Sequence, residues 1–193
     1  MNPENNTRGF TLPEILIALG VISILLTVAV PGISSTIKDN RLAATLNSIV
    51  TDIHFARSEA VKRDVRVIMC RSRNPNLPAP TCSGDDRTWT SGYIIFADDG
   101  KNTNNVFDNG TDTLLRRGQP VASDIRLRTN ATWNRNLEFN PDGSTNERNN
   151  MAKMSICDDR GTDRGRQIEV APSGIPKMYA RNINSCIDPD LKV

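Results

Sequence analysis

Arg8-Gly9-Phe10-Thr11-Leu12-Pro13-Glu14-Ile15-Leu16-Ile17-Ala18-Leu19-Gly20 opens a stretch that stays free of charge from Ile15 to Val30. As a helix, Phe10 to Val30 spans about 31 Å, close to the hydrocarbon thickness of a bilayer. The run is longer than the apolar segment of an ordinary secretory signal, and Val28-Ala29-Val30-Pro31 makes a poor cleavage site. A membrane-embedded helix is the expected structure. Glu14 interrupts this simple reading. An ionisable group at the edge of an apolar span costs about 2.5–3.5 kcal/mol if it reaches the bilayer centre, so it calls for a partner. Pro13 falls in the first turn of the expected helix, where a missing N–H is tolerated.

Past Val30 the polarity changes. Pro31-Gly32 is the expected kink or soft point of the helix. Beyond it Leu42, Leu46, Ile49, Ile53, Ala56 and Ala60 recur at spacings of four and three, the pattern of an amphipathic helix with one apolar face. Arg41, Asn47, Asp52, Arg57 and Lys62 fall on the other face, and His54 is expected near the edge of the contact. The pattern predicts one long helix from about Thr11 to Lys62. Its first half would lie in lipid and its second half against a folded body.

From Val65 the pattern shortens to strands and turns. The candidates are 66–71, 92–97, 113–117, 125–128, 137–139, 154–157, 167–170 and 177–181. Turns are marked by Asp99-Gly100, Asn109-Gly110, Pro141-Asp142-Gly143 and Pro172-Ser173-Gly174. The fold class is therefore α+β, a long amino-terminal α-helix packed on an antiparallel β-sheet body.

The chain has 193 residues, with Lys+Arg 24 against Asp+Glu 22, so its charge balance selects neither an acidic nor a basic partner. Four cysteines, Cys70, Cys82, Cys157 and Cys186, allow three pairings. Cys70–Cys82 and Cys157–Cys186 are the favoured pair because each closes a local loop. Four buried thiols are the alternative. Disulfides would place the body outside the cytoplasm. With a single histidine and no closely spaced cysteines, the chain offers no zinc set. The Asp- and Asn-rich segment from Asp98 to Asp112 has no register with alternating oxygen ligands and a glycine at the sixth position, so it reads as a connection and no metal is expected. Nucleophile-elbow, phosphate-loop and metalloprotease motifs are absent from the sequence. No catalytic residue and no cofactor are expected.

The segment Arg8-Gly9-Phe10-Thr11-Leu12-Pro13-Glu14 resembles the prepilin processing site of type IV pilins and type II secretion pseudopilins. That resemblance implies a leader at residues 1–9, cut after Gly9 by a prepilin peptidase that methylates the new amine of Phe10. It also implies a transmembrane and filament-core helix at 10–31, and a globular pilin domain at 32–193. Glu14 then falls at the fifth mature position, where its carboxylate would meet the Phe10 amine of a neighbouring subunit, each ion offsetting the desolvation of the other.

Further segments are similar to the FimT, FimU and GspH branch of minor pilins. They include Phe55-Ala56-Arg57-Ser58-Glu59-Ala60, Met69-Cys70-Arg71-Ser72, Gly92-Tyr93-Ile94-Ile95-Phe96, Phe139-Asn140-Pro141-Asp142-Gly143, Cys157-Asp158-Asp159-Arg160-Gly161 and Arg166-Gln167-Ile168-Glu169-Val170. The resemblance implies a single-pass inner-membrane subunit with a periplasmic body that passes into a cell-surface pilus. Its partners would be other minor pilins and the major pilin, and its role the priming and capping of the filament. The implied alternatives are a minor pseudopilin of type II secretion and a DNA-binding pilin. For the last, Arg164, Arg166, Lys177 and Arg181 are the candidate phosphate contacts. Asp158, Asp159, Asp163 and Glu169 interleave with them, as on a solvated mixed surface. DNA-uptake members carry a Gly-Arg-x-Arg motif, whereas this chain has Gly174-Ile175-Pro176-Lys177.

Overall fold

The computed structural model describes residues 9–83, 88–99, 106–133, 135–146, 151–180, 183, 185 and 186, without the side chains of 28–31. Helix α1 runs from Leu12 to Arg63. Thr11 stands just before it, and its carbonyl accepts the N–H of Ile15 at 3.2 Å. At the far end Lys62 and Arg63 lie in the last turn, where cations favour the carbonyl end of the helix dipole. Asp64 then turns left-handed at φ 56° and stops the helix. α1 continues without interruption through Pro31 and Gly32. Pro31 nevertheless brings no N–H to the helical ladder, so the Thr27 carbonyl four residues earlier lacks its usual backbone donor.

The chain divides into two compact units, one ending at Asn40 and the other beginning at Arg41. The first is helix with its apolar side chains outward. Leu12, Ile15, Leu16, Ile17, Leu19, Val21, Ile22, Ile24, Leu25 and Leu26 are all about half exposed or more. Two hydroxyls in its apolar run are satisfied by the helix itself: Ser23 donates to the Leu19 carbonyl at 2.8 Å and Thr27 to that of Ile24 at 2.7 Å. Hydroxyls satisfied in this way carry no unmet hydrogen bond into an apolar medium.

The second unit joins the rest of α1 to eight strands: β1 (Arg66–Arg71), β2 (Tyr93–Asp98), β3 (Thr113–Gly118), β4 (Arg126–Thr129), β5 (Asn136–Phe139), β6 (Ala152–Cys157), β7 (Arg166–Val170) and β8 (Pro176–Ala180). They form two four-stranded antiparallel sheets rather than one, ordered β3-β2-β1-β5 and β4-β6-β7-β8. Both sheets give one face to a common core with Leu42, Leu46, Ile49, Ile53, Ala56 and Ala60 of α1. The first sheet supplies Val67, Met69, Ile95, Leu137 and Phe139. The second supplies Leu127, Met154, Ile156, Ile168 and Val170. Trp89 and Trp133 fill the middle edge to face, with ring centroids 5.6 Å apart.

The other face of the first sheet is also covered. Ile68, Cys70, Ile94 and Phe96 form a second cluster with Phe107. That explains why Val67-Ile68-Met69-Cys70 and Tyr93-Ile94-Ile95-Phe96 are apolar at every position rather than at alternate ones.

Candidate assembly site at the amino end

Gly9 and Phe10 are exposed ahead of the helix, Phe10 at 80% of its area. Glu14 is the third helical residue, and its Oε2 accepts the Thr11 N–H at 3.4 Å. Thr11 and Glu14 thus have the spacing of a capping box, in which the carboxylate turns back to satisfy one of the unpaired donors of the first turn. Among the described residues no cation pairs with Glu14. The leader residues 1–8, including Arg8, lie outside the described residues. The site consists of an exposed amino end, one carboxylate four residues on, and an apolar helical surface that is exposed among the described residues.

Cys70 is bonded to Cys82 and Cys157 to Cys186, with sequence separations of 12 and 29. The first bond fastens the 71–83 loop over the outer face of the first sheet, and the second fastens the carboxyl-terminal segment to the end of β6.

Several polar residues lie elsewhere than the helical pattern suggested. Asp52, assigned to the solvent face, is buried. The Tyr93 hydroxyl donates to its Oδ2 and the Arg116 guanidinium to its Oδ1. Burial and the Asp52 hydrogen bond push the Tyr93 hydroxyl well above the ordinary range, so it remains a donor. The Tyr93 ring lies across Gly118, its partner in β3, where any Cβ would come within 2.2 Å of it. Arg57, also assigned outward, is half buried and donates from Nε to the Gly143 carbonyl at 3.0 Å. At Gly174, with φ +76°, a Cβ would sit 2.1 Å from that same carbonyl. Arg57 therefore ties α1 to the two turns at 141–143 and 172–174. The Asp52 and Arg57 side chains were missed because a single-face reading of the helix assigns polar residues to solvent, whereas β2, β3 and the turn at 141–143 reach round the edges of that face. His54 is exposed.

The candidate phosphate contacts that lie among the described residues differ in exposure. Arg166 is buried, and its guanidinium donates to the carbonyls of Arg164 and Gly165, which removes it from any nucleic-acid surface. Lys177 is exposed on β8, opposite Glu169 of β7. Arg164 is half buried in a turn, and Arg181 lies outside the described residues. Arg160 is paired with Asp158 at 2.7 Å. Residues 100–105 of the 98–112 connection also lie outside the description, and among the described residues no three His, Cys, Asp or Glu side chains gather as a metal set.

A long amino-terminal helix whose second half packs on antiparallel sheets, behind an exposed Gly-Phe-x-x-x-Glu end, defines a pilin-fold filament subunit. Two crystal structures of the type IV minor pilin FimU of Pseudomonas aeruginosa share the fold. One has a TM-score of 0.52 and 18% identity, over 72% of this chain and 92% of that one. The other has 0.54 and 19%, over 74% and 90%. The profile of the prokaryotic N-terminal methylation motif matches residues 5–30. The profile described as type II transport protein GspH matches residues 45–174. The Thermus thermophilus pilin-like protein PilA1 is 32% identical over 141 residues, 70% of this chain and 78% of that protein. The chain belongs to the GspH family of pilin-like proteins. This is a family of structural rather than enzymatic proteins, whose subunits assemble with other pilins in a filament.

Proposed function

We propose that this chain is a minor pilin that primes assembly of a type IV pilus and is incorporated at its tip. The reading is carried by the amino end. Glu14 and Phe10 stand at the start of an apolar helix that its own chain leaves exposed. In this reading a prepilin peptidase removes residues 1–9 and methylates Phe10, which keeps its positive charge. Residues 10–31 hold the subunit in the inner membrane, with the body, 32–193, in the periplasm. On assembly the Glu14 carboxylate exchanges its weak backbone donor for the amine of a neighbouring subunit. That full counter-ion offsets the cost of burying both charges among packed helices. The missing backbone bond at Pro31 makes residues 27–32 the segment of the helix that loosens on packing.

The profile description of a type II transport protein favours a second reading, a minor pseudopilin of the secretion machine. Deletion of the gene, with complementation, separates the two. Loss of sheared surface pili, restored by the gene, is the expected result. Normal pili with impaired protein secretion would replace the pilus reading with the secretion one. Normal pili, normal secretion and lost DNA uptake would overturn both.

A further inference from the structure

Asn109-Gly110 is the one place in the sequence where an asparagine precedes a glycine. The turn that carries it is fastened on either side of the pair. The Asp108 carbonyl accepts the N–H groups of Thr111 at 3.2 Å and Asp112 at 3.0 Å, and the Asp108 N–H donates to Asp112 Oδ2 at 2.8 Å. Phe107, just before the turn, is seated against Phe96 with ring centroids 5.4 Å apart. Asn109 and Gly110 themselves are exposed at the tip. Gly110 has φ +113°, and a Cβ placed there would meet no atom within 4 Å. Among the described residues no hydrogen bond holds the Asn109 carboxamide.

An untied carboxamide followed by glycine can react with its own backbone. The Gly110 nitrogen attacks Cγ of Asn109 and closes a cyclic imide. The Cγ–Nδ2 bond breaks, and ammonia leaves with the proton that the Gly110 nitrogen gives up. Water then adds to either imide carbonyl and reopens the ring, leaving aspartate or isoaspartate. Water is the sole co-reactant, and exposure supplies it. Glycine favours ring closure because no Cβ stands beside the attacking nitrogen.

Other positions show what prevents the reaction. Asp142-Gly143 has the same spacing, but Asp142 Oδ1 accepts the Ser144 N–H at 2.8 Å and its hydroxyl at 2.6 Å. A Cβ at Gly143 would meet Arg57 and Val61 at 3.2 Å, so that turn has no room to close a ring. Asn130 is buried, its Nδ2 donates to the Met151 carbonyl, and its Oδ1 accepts the N–H groups of Trp133 and Lys153, each at 3.0 Å. A carboxamide fixed in this way cannot swing toward the nitrogen that follows it.

We infer that Asn109-Gly110 is a self-modification site, at which the exposed carboxamide is hydrolysed through its own backbone to a carboxylate. The product puts a new negative charge beside Asp108 and Asp112, so the tip of this turn becomes more acidic as the chain ages.

The test uses the full-length chain in detergent, as parent, Asn109→Gln and Gly110→Ala, held warm for days at neutral and at mildly alkaline pH. Trypsin then releases the peptide from Asn102 to Arg116, whose mass reports the exchange of amide for acid. Conversion in the parent should exceed that at Asn130 by about tenfold or more. It should be faster at alkaline pH, where the attacking nitrogen loses its proton more readily. Isoelectric focusing should show the matching gain of negative charge. Asn109→Gln keeps the glycine and its turn, and its longer side chain closes the imide far less readily, so its amide should persist. Gly110→Ala should slow conversion by crowding the nitrogen. A parent carboxamide as durable as that of Asn130, or one lost only after the chain is denatured, overturns the inference. So does a sugar mass on Asn109, which would make Asn109-Gly110-Thr111 an acceptor for a transferred glycan instead.

Discussion

The two halves of α1 share one backbone geometry and opposite fates for their side chains. Ile22 is 50% exposed and Ile53 is 0% exposed, although both are isoleucines in mid-helix. From Leu42 to Ala60 the apolar residues are spaced for one face, and that face is buried by two sheets. From Leu12 to Leu26 they occupy every side, and among the described residues the large ones remain about half exposed or more. A helix that is apolar all round needs an apolar surrounding from elsewhere. On the function proposed above, the stability of the body and the assembly of the filament are encoded in different halves of the same element.

The largest expected effect tests that separation directly. Ile53→Ala removes a fully buried side chain from the common core and should cost about 2–5 kcal/mol of body stability. Ile22→Ala should leave the unassembled subunit's melting temperature unchanged, because no packing in its own chain is lost. Thermal melts of the two variants in detergent decide it. Equal losses would mean that the amino half packs on its own chain and that the division between the halves is mistaken.

The next effect lies within the body. Replacing both Cys157 and Cys186 with Ala releases a 29-residue loop and should cost about 2–4 kcal/mol on the chain-entropy account. Denaturant midpoints measure it. Because the bond lies far along the sequence from Leu12–Leu26, membrane insertion should be unaffected. A fall in insertion would show that the body supports the anchor.

Much of this fold is legible in the sequence. The expected helix ends fall within one residue of those found, Leu12 and Arg63, and each strand begins and ends within two residues of its expected bounds. Strands and helix here announce themselves by short-range patterns, namely period, turn glycines and the charge-free run. The division into two sheets was not legible, since strand pairing is a long-range property that no local pattern records. Asp52 shows the same limit. Its position on the helix is polar by any periodic reading, and only the meeting of Tyr93 and Arg116, 41 and 64 residues away, makes it a buried acceptor. Arg166 reads as one more surface cation until its guanidinium is found on backbone carbonyls. At the amino end the site was legible as a motif, because Gly9, Phe10 and Glu14 lie within six residues. Among the described residues Glu14 has the Thr11 N–H and no cation beside it.

The smallest effect compares the two glutamates of α1. Glu14 accepts only a backbone N–H among the described residues, whereas Glu59 has cations one turn away, Arg63 at 2.6 Å and Lys62 at 3.6 Å. The Arg63 hydrogen bond, opposed by burial and reinforced by the charges of Lys62 and Arg63, holds the Glu59 carboxyl below the ordinary carboxylate range. A carboxyl depressed in the folded state contributes stability above its unfolded pKa of about 4.3 and loses it as the pH falls through the folded value. Lys62 is largely solvated and Arg63 partly so, and the contribution is about 0.3–0.5 kcal/mol. Glu59→Gln should therefore lower the melting temperature slightly at neutral pH, and parent and variant should converge once the medium is acidic enough to protonate Glu59. A difference that persists in acid would assign the role of Glu59 to packing under the body rather than to its charge.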